Sequence, residues 1–197
     1  MVGPFRIEGY AIVSADGMIA DSAGVMPQTI RNDADQKFLQ TELDNAAVLV
    51  HGRHSYEGGS RAPQRKRLIL TREIAAIAPD PSQPHALLWN PAGATLEQAA
   101  ARLGIDDGIA AIIGGTPVFA LFLPLYDAFH LTQAAQASIP GGRPVFPQVS
   151  PGMTPADVLI RYGLRPGRQR ALDPAAGVTL TTWQRIPDAA EATASAV

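Results

Sequence analysis

Residues 109–132 read IAAIIGGTPVFALFLPLYDAFHLT, and this stretch decides the fold class. The apolar run at 109–113 predicts a strand that is buried on both faces, and the glycine pair after it predicts a tight turn. Residues 116–123 then predict a helix, which leads to a second apolar strand at 128–132. Two buried strands joined by a helix are typical of a parallel β-α-β unit, so the stretch predicts an α/β domain.

The same alternation of short apolar runs and helical patterns continues on both sides of this unit. Further strands are predicted at 5–13, 46–50, 67–70, 86–89, 158–164 and 178–185, and further helices at 32–43 and 95–103. No helical pattern separates the last two strands, so we expect them to form an antiparallel hairpin with residues 165–176 as its turn. Residues 78–84 (APDPSQP) predict a proline-broken loop. The predicted fold is a three-layer α/β architecture, a mostly parallel central sheet with an antiparallel C-terminal hairpin.

The composition bounds the domain organisation and the class of partner. A chain of 197 residues fits one domain, predicted at 1–186, and the small, polar stretch 187–197 predicts a disordered tail. The net charge of −2 gives no basic field for nucleic acid, and no apolar stretch is long enough to cross a membrane. The lack of cysteine excludes disulfides and fits a reducing cytoplasm. We therefore expect a cytoplasmic protein with a small-molecule substrate, and a homodimer is one open assembly state.

Ligands of open α/β sheets bind beyond the carboxyl ends of the parallel strands, and three of the predicted ends carry residues suited to an anion. The first is Gly52, which follows the strand at 46–50 and allows a ligand to approach the backbone closely. Arg53, His54 and Ser55 are then predicted to open a helix, whose free N–H groups favour an anion. Taken alone, this segment fits a surface turn with solvated side chains better.

Two further strand ends add to the pattern. Gly114, Gly115 and Thr116 open the helix of the central unit, and adjacent glycines suit a pyrophosphate that lies against the backbone. Thr71 and Arg72 follow another strand, where a hydroxyl and a guanidinium suit the ribose 2′-phosphate of an NADP cofactor. A tight turn and a salt-bridged surface arginine are the respective alternatives. Three such turns on one sheet edge favour a nucleotide site, although the G-x-G-x-x-G fingerprint is absent.

Two acids, Asp33 and Asp35, lie in the first turn of the predicted helix at 32–43, where Asn32 or Asp33 is a natural N-cap. Acids at this position stabilise the helix dipole, and a catalytic carboxyl group is the alternative role. No metal site is predicted, because metal-ligand spacing is absent among the chain's four histidines, His51, His54, His85 and His130.

In these segments the chain resembles the dihydrofolate reductase superfamily. The match runs in order from about Gly9 to Arg185, and its pieces are YA at 10–11, DGMIA at 16–20, VLVHGRHSYE at 48–57, RKRLILTRE at 65–73, IIGGTPVFALFLPLYDAFHLT at 112–132 and GGRPVFP at 141–147. The superfamily has two main branches. One is dihydrofolate reductase itself, and the other is the riboflavin-biosynthesis reductase domain, which reduces the ribosyl group of 5-amino-6-(5-phosphoribosylamino)uracil.

The turn Ser14-x-Asp-Gly-x-Ile-Ala20 and the helix lead-in at 30–35 resemble the riboflavin branch more closely. Folate enzymes have a tryptophan soon after the Met-Pro of this loop, and here Met26-Pro27 is followed by Gln28. Their buried acid lies four residues before the helix phenylalanine, Phe38. That position holds Ala34, and Asp33 is one residue away. Arg65, by contrast, matches the arginine that binds the folate carboxylate, so dihydrofolate reductase stays the second candidate.

The resemblance implies an NADPH-dependent enzyme that transfers hydride to 5-amino-6-(5-phosphoribosylamino)uracil or a related small heterocycle. It implies that Asp33 orients the substrate or supplies a proton, and that Arg65 binds the substrate. A catalytically inactive NADP-binding protein is a third candidate. The implied cofactor contacts are Ala11, Ile19, Gly52, Arg53, His54, Ser55, Thr71, Arg72, Gly114, Gly115, Thr116 and Pro117.

Overall fold

A computed structural model describes residues 3–55 and 58–186 of the chain, and the predicted tail at 187–197 lies outside them. The four α-helices of the described residues are α1 Asp33–Asn45, α2 Leu96–Ala101, α3 Thr116–Phe122 and α4 Pro155–Arg161. The strands of the described residues are β1 Phe5–Ser14, β2 Met18–Ala20, β3 Val48–Gly52, β4 Arg67–Leu70, β5 Ile77–Pro79, β6 Ala86–Trp89, β7 Gly108–Gly114, β8 Ala128–Ala134, β9 Arg143–Pro144, β10 Leu164–Pro166, β11 Arg170–Asp173 and β12 Val178–Arg185.

The main sheet has the strand order β10-β12-β8-β1-β7-β3-β4-β6-β5, with β11 also paired to β12. The six strands from β8 to β6 are parallel to their neighbours. Antiparallel strands close both edges, with β5 against β6 on one side and the C-terminal hairpin against β8 on the other. The predicted mostly parallel sheet with an antiparallel C-terminal hairpin is confirmed.

Helices cover both faces of this sheet. On one face, α1 packs its Leu43 against Tyr10, Leu49 and Ala111 of the central strands. On the other face, α2, α3 and α4 cover the larger core, in which Ile112 and other strand residues are fully buried. Burying a side chain of this size contributes roughly 1.5–3 kcal/mol, so the two apolar layers are the main source of stability.

Side-chain caps mark the starts of α1, α2 and α4. The Asn32 side chain accepts hydrogen bonds from the first turn of α1, as its position before the apolar pattern predicts. Thr95 and Gln98 form a capping box at the start of α2, and Thr154 and Asp157 form another at the start of α4. Each cap joins residues only two or three positions apart, so the first residue of each of these helices is fixed by the sequence next to it.

Three sequence predictions about elements, besides one at the end of β3, are wrong. Residues 165–176, predicted as the turn of the C-terminal hairpin, contain the end of β10 and all of β11. Residues 158–164 were expected to form a strand, but α4 runs to Arg161 and β10 begins only at Leu164. The capping box and Pro155 in the first turn initiate the helix, which outweighs the β propensity of its apolar run. The predicted loop at 78–84 begins inside β5, which tolerates Pro79 because an edge strand has an unpaired side.

Candidate functional site

The carboxyl ends of the two central strands separate. The β1–β7 ladder ends at the pair Gly9–Ile112, whereas β1 continues beside β8 as far as Ser14. On its other side, β7 changes register against β3 between Val50 and His51. An open α/β sheet binds ligands where strand connections diverge in this way, because the loops leave room above the strand ends. Ala11 and Gly114, two residues beyond the last pair, border this opening.

The glycine pair at the end of β7 leaves space at the same place. The Gly114–Gly115 peptide is cis, and Gly114 has φ +108°, in the region that favours glycine. A Cβ on Gly114 would lie 2.8 Å from the Phe119 ring. A Cβ on Gly115 would have only the Ser55 hydroxyl nearby among the described residues, at 3.9 Å. The missing side chain of Gly115 therefore exposes the backbone beside Ser55.

The segment after β3 forms a turn in which the Ser55 amide donates to the Gly52 carbonyl at 3.0 Å. The predicted helix opened by Arg53, His54 and Ser55 is wrong in the described residues. Residues 53–54 form the turn, and residues 58–66 contain a single 3-10 turn, Ala62–Gln64. The helix pattern is interrupted by Gly58, Gly59 and Pro63, which do not favour a continuous helix. His54 lies exposed in this turn.

Charged side chains flank the ends of β3 and β4. The Arg53 guanidinium donates two hydrogen bonds of 2.5 Å to the Glu73 carboxylate. Arg72 is exposed and forms no hydrogen bond or ion pair with the described residues. The buried Thr71 hydroxyl accepts a hydrogen bond from the Glu73 amide at 3.2 Å. This edge therefore carries two arginines and one acid.

The buried carboxyl group in the first turn of α1 belongs to Asp35 and not to Asp33. Asp33 is exposed at the first position of α1, whereas Asp35 faces the sheet and is 8% exposed. Burial raises the pKa of the Asp35 carboxyl group, and a hydrogen bond with the Thr132 hydroxyl lowers it by a smaller amount. Thr132 is buried in β8 and is paired with Ile12 of β1. Asp35 therefore places a buried carboxyl group with a raised pKa on the α1 side of the sheet.

No protein-family model and no curated protein matches the chain. A deaminase/5-amino-6-(5-phosphoribosylamino)uracil reductase from Thermotoga maritima matches 92% of the chain with a TM-score of 0.64 and 14% identity. The match covers 56% of that bifunctional protein, so the chain spans just over half its length. A dihydrofolate reductase from Enterococcus faecalis, complexed with NADP(H) and RAB-propyl, matches 91% of the chain and is itself covered to 96%, with a TM-score of 0.61 and 18% identity.

A candidate riboflavin-biosynthesis protein from Shewanella sp. PV-4 matches 92% of the chain and is itself covered to 99%, with a TM-score of 0.60 and 19% identity. The chain has the dihydrofolate reductase-like fold. The resemblance seen in the sequence is thereby confirmed as a likeness of fold, which does not by itself identify a reaction.

Within this dihydrofolate reductase-like fold, most of the predicted cofactor residues meet at one edge of the sheet. The parallel pairing of β3 with β4 and β7 brings together the turns that follow them. Ala11 and Ile19 are half-buried and pack against the larger core. The Thr116 hydroxyl donates to the Pro144 carbonyl of β9, which ties the start of α3 to the small β2–β9 ribbon. Pro117 is exposed.

Arg65 lies away from these turns and is held by α1. Its guanidinium forms an ion pair of 2.6 Å with Asp44 and donates to the Gln40 side-chain oxygen at 2.7 Å. Arg61 also contacts the Asp44 carboxylate, at 3.3 Å. The folate resemblance implies that the Arg65 guanidinium binds a substrate carboxylate, but here it is paired with the carboxylate of Asp44.

One further group near the site, Glu73, has no signal in the sequence, and a second, Asp35, has one that distinguishes it from Asp33. Glu73 was not singled out, because an acid beside Arg72 has no local pattern that marks it. The sequence leaves Asp35 and Asp33 as equal candidates for a helix-start acid or a catalytic acid, although the spacing of Asp35 with Leu39 and Leu43 places it on the buried face of α1. That spacing is the signal that distinguishes it from Asp33.

A buried polar cluster lies deeper on the α1 face. Glu8 accepts hydrogen bonds from the Tyr10 hydroxyl at 2.6 Å and from His130 Nε2 at 3.1 Å, and Arg6 also donates to it. Burial alone would raise the pKa of Glu8, but these hydrogen bonds outweigh it and lower the pKa to about 2. The Tyr10 and His130 rings stack with their centroids 4.6 Å apart. Glu8 is therefore held as a carboxylate.

In residues 3–55 and 58–186, no group of three or more His, Cys, Asp or Glu side chains is arranged to hold a metal ion. The helices of the described segments also include none that is long and apolar enough to span a membrane.

Proposed function

We propose that the chain is an NADPH-dependent reductase of the riboflavin-biosynthesis type, acting on 5-amino-6-(5-phosphoribosylamino)uracil or a close relative. The observation that carries the proposal is the opening between β1 and β7, with an exposed glycine backbone at Gly115 and a buried acid, Asp35, on the α1 side. Hydride transfer requires a bound dinucleotide and a proton source that meet at one place. The likeness to a bifunctional reductase of this substrate supports the same choice.

The residues at the strand ends fit a dinucleotide. Gly114, Gly115 and Ser55 would hold the pyrophosphate, because the space beside the Gly115 backbone is one that a side chain would fill. Thr71 and Arg72 would hold the adenosine 2′-phosphate, which favours NADPH over NADH. Ala11 and Ile19 would face the nicotinamide, whose chemistry is the delivery of hydride. Replacing Arg72 with alanine is expected to weaken NADPH binding by roughly 1.5–3 kcal/mol, with little change for NADH.

The proposed reaction adds two hydrogens across a carbon–nitrogen double bond. In the ring-opened ribosyl imine, the sugar carbon would gain the hydride that NADPH supplies on its oxidation to NADP⁺, and the attached nitrogen would gain a proton. We assign the proton to Asp35, because burial raises the pKa of its carboxyl group, and this group contacts Thr132 of β8, which is paired with Ile12 of β1. Asp33, the residue suggested by the family pattern, is exposed and remains a solvent-facing helix-start acid.

Dihydrofolate reduction is the second candidate, and Asp35 is the observation that favours it. Protonation of a ring nitrogen by a buried carboxyl group is the requirement of that reaction. The Arg65–Asp44 ion pair is unfavourable to it, because a folate carboxylate would have to displace Asp44.

The deciding experiment measures kcat/KM with NADPH for the phosphoribosylaminouracil and for dihydrofolate. We expect the first value to exceed the second. A higher value for dihydrofolate would transfer the assignment to the folate branch. NADPH binding without turnover of either substrate would support a binding protein that lacks catalysis.

A further inference from the structure

An acid, Glu73, lies just beyond the end of β4. Glu73 follows Thr71 and Arg72, the residues proposed for the 2′-phosphate, and its backbone amide donates to the Thr71 hydroxyl. Its carboxylate reaches the end of β3 and binds both terminal nitrogens of Arg53 at 2.5 Å. Glu73 thus contacts Arg53 through its carboxylate and Thr71 through its backbone, so it links the ends of β3 and β4.

This contact has the geometry that a phosphate would use. Guanidinium groups bind carboxylates and phosphates through the same pair of parallel N–H donors, so one anion at Arg53 excludes another from those donors. With Arg53 paired, Arg72 is the cation of this edge that no described residue neutralises. The pair is solvent-exposed, with 46% and 65% of the two side chains accessible, so water and a competing anion can reach it.

We propose that Glu73 is a specificity-determining residue that reduces the discrimination between NADPH and NADH. This inference rests on the proposed function, because it requires the adenosine end of the cofactor to bind at Thr71 and Arg72. A 2′-phosphate carries about 1.5–2 negative charges and is repelled by a carboxylate at this edge. At a separation of roughly 6 Å in water, that repulsion corresponds to about a tenfold loss of binding. The 2′-hydroxyl of NADH has no such charge and can donate a hydrogen bond to the carboxylate.

The test compares NADPH and NADH dissociation constants for the full chain and for Glu73→Gln, measured by titration calorimetry. The amide keeps the size of the side chain and removes its charge. We expect NADPH to bind about 5–20-fold more tightly to the variant, while the NADH dissociation constant stays the same or rises by up to about threefold.

Asp106→Asn is the matched control, because it removes the same charge from an exposed position before the amino end of β7. We expect the control to change the ratio of the two dissociation constants by less than twofold. If the ratio shifts equally in both variants, the effect comes from the net charge of the protein and not from the position of Glu73, and the inference is overturned. Weaker NADPH binding by Glu73→Gln would also overturn it, since Glu73 would then be holding Arg53 in place for the phosphate.

The same titrations separate this inference from the proposed function. If wild type and both variants bind neither cofactor, the proposed reductase function fails and the inference fails with it. If the wild type binds a cofactor and Glu73→Gln leaves the NADPH to NADH ratio unchanged, only the role of Glu73 is rejected.

Discussion

Asp33 and Asp35 are two residues apart, yet they meet opposite environments. Successive residues of an α-helix are rotated by about 100°, so positions 33 and 35 differ by about 200° and lie on opposite sides of α1. Asp33 projects to solvent, where an acid stabilises the helix N-terminus. Asp35 projects to the sheet, where burial disfavours its charged form and Thr132 offers a single hydrogen bond. The helix register alone decides which of the two carboxyl groups is buried against the sheet.

The first prediction concerns the activity of these two residues. Asp35→Asn is expected to lower kcat by about 10²–10⁴-fold, because an amide cannot supply the proton, and Asp33→Asn is expected to stay within about twofold of wild type. In the wild type, kcat should decrease as pH rises through the raised pKa of Asp35, because the protonated form is lost. Steady-state kinetics over a range of pH measures both effects. If Asp33→Asn instead loses most of its kcat while Asp35→Asn stays active, Asp33 is the proton donor.

Stability provides an independent check on Asp35. Because its pKa is higher in the folded than in the unfolded protein, the folded state binds more protons between the two values, and stability decreases as pH rises through that interval. Asp35→Asn removes this cost. The variant should therefore be at least as stable as wild type at pH 7, which denaturant unfolding would show.

The second prediction concerns Glu8. Its pKa of about 2 lies below the ordinary value of 4.5, so the ionised carboxylate stabilises the fold above pH 4.5, and this contribution is lost as pH falls toward 2. Glu8→Gln should lower the free energy of unfolding at pH 7 by about 2–4 kcal/mol, because Arg6, Tyr10 and His130 lose a charged acceptor.

Urea unfolding at several pH values would measure this effect, and the variant should lose less stability than wild type between pH 4.5 and 2. Thr41→Val on the exposed side of α1 is a suitable control, because its hydroxyl donates only to the Lys37 carbonyl in the described residues. If the free energy of unfolding of Glu8→Gln falls between pH 4.5 and 2 as steeply as that of wild type, other carboxyl groups cause the loss of stability in acid.

At the scale of elements, strands flanked by glycine or by a helix start were predictable. The unit at 109–132 forms β7, α3 and β8 almost as its pattern indicates, because buried parallel strands need continuous apolar runs. The prediction of a strand at 158–164 is wrong because the periodicity of a short apolar run does not distinguish a strand from a helix. The helix cap, Thr154, lies outside that run.

The candidate site was predictable only in part, for the same kind of reason. Turns that follow parallel strands must lie at one sheet edge, so Gly52, Thr71 and Gly114 could be grouped from their order in the chain. Side-chain pairing between distant segments carries no such local pattern. Arg53 meets Glu73 and Arg65 meets Asp44 only because the sheet and α1 bring them together.

The third prediction separates the two glycines at the end of β7. Gly115→Val should abolish NADPH binding and leave the free energy of unfolding within about 1 kcal/mol of wild type, because the added side chain enters open space beside Ser55. Gly114→Ala should instead destabilise the fold by about 1–3 kcal/mol, because φ is +108° and the new Cβ would meet the Phe119 ring at 2.8 Å. Calorimetric binding and urea unfolding test each half. Unchanged NADPH affinity in Gly115→Val would remove the pyrophosphate from this turn.

At the scale of the whole molecule, the two faces of the sheet carry different kinds of side chain. One face carries α1 with the buried acid and the polar cluster around Glu8, and the other face carries the large apolar core under α2, α3 and α4. Beyond the pair Gly9–Ile112, β1 and β7 are no longer paired, so both faces of the sheet border the opening at these strand ends. A cofactor bound across these ends, as proposed, would contact turns from three strands at once, and its binding would be coupled to the stability of the whole sheet.

The last prediction follows from this coupling. A ligand that binds only the folded state stabilises it by RT ln(1 + [L]/Kd), which is about 2.7 kcal/mol at one hundred times Kd. For a chain of this size, each kcal/mol raises Tm by roughly 2–4 °C, so saturating NADPH should raise the midpoint by about 5–11 °C. Gly115→Val should melt near the wild-type temperature without the cofactor and show no NADPH-dependent shift. Differential scanning calorimetry of both proteins measures this. An equal shift in both proteins would place the cofactor elsewhere, and no shift in the wild type at millimolar NADPH would count against a dinucleotide site at these strand ends.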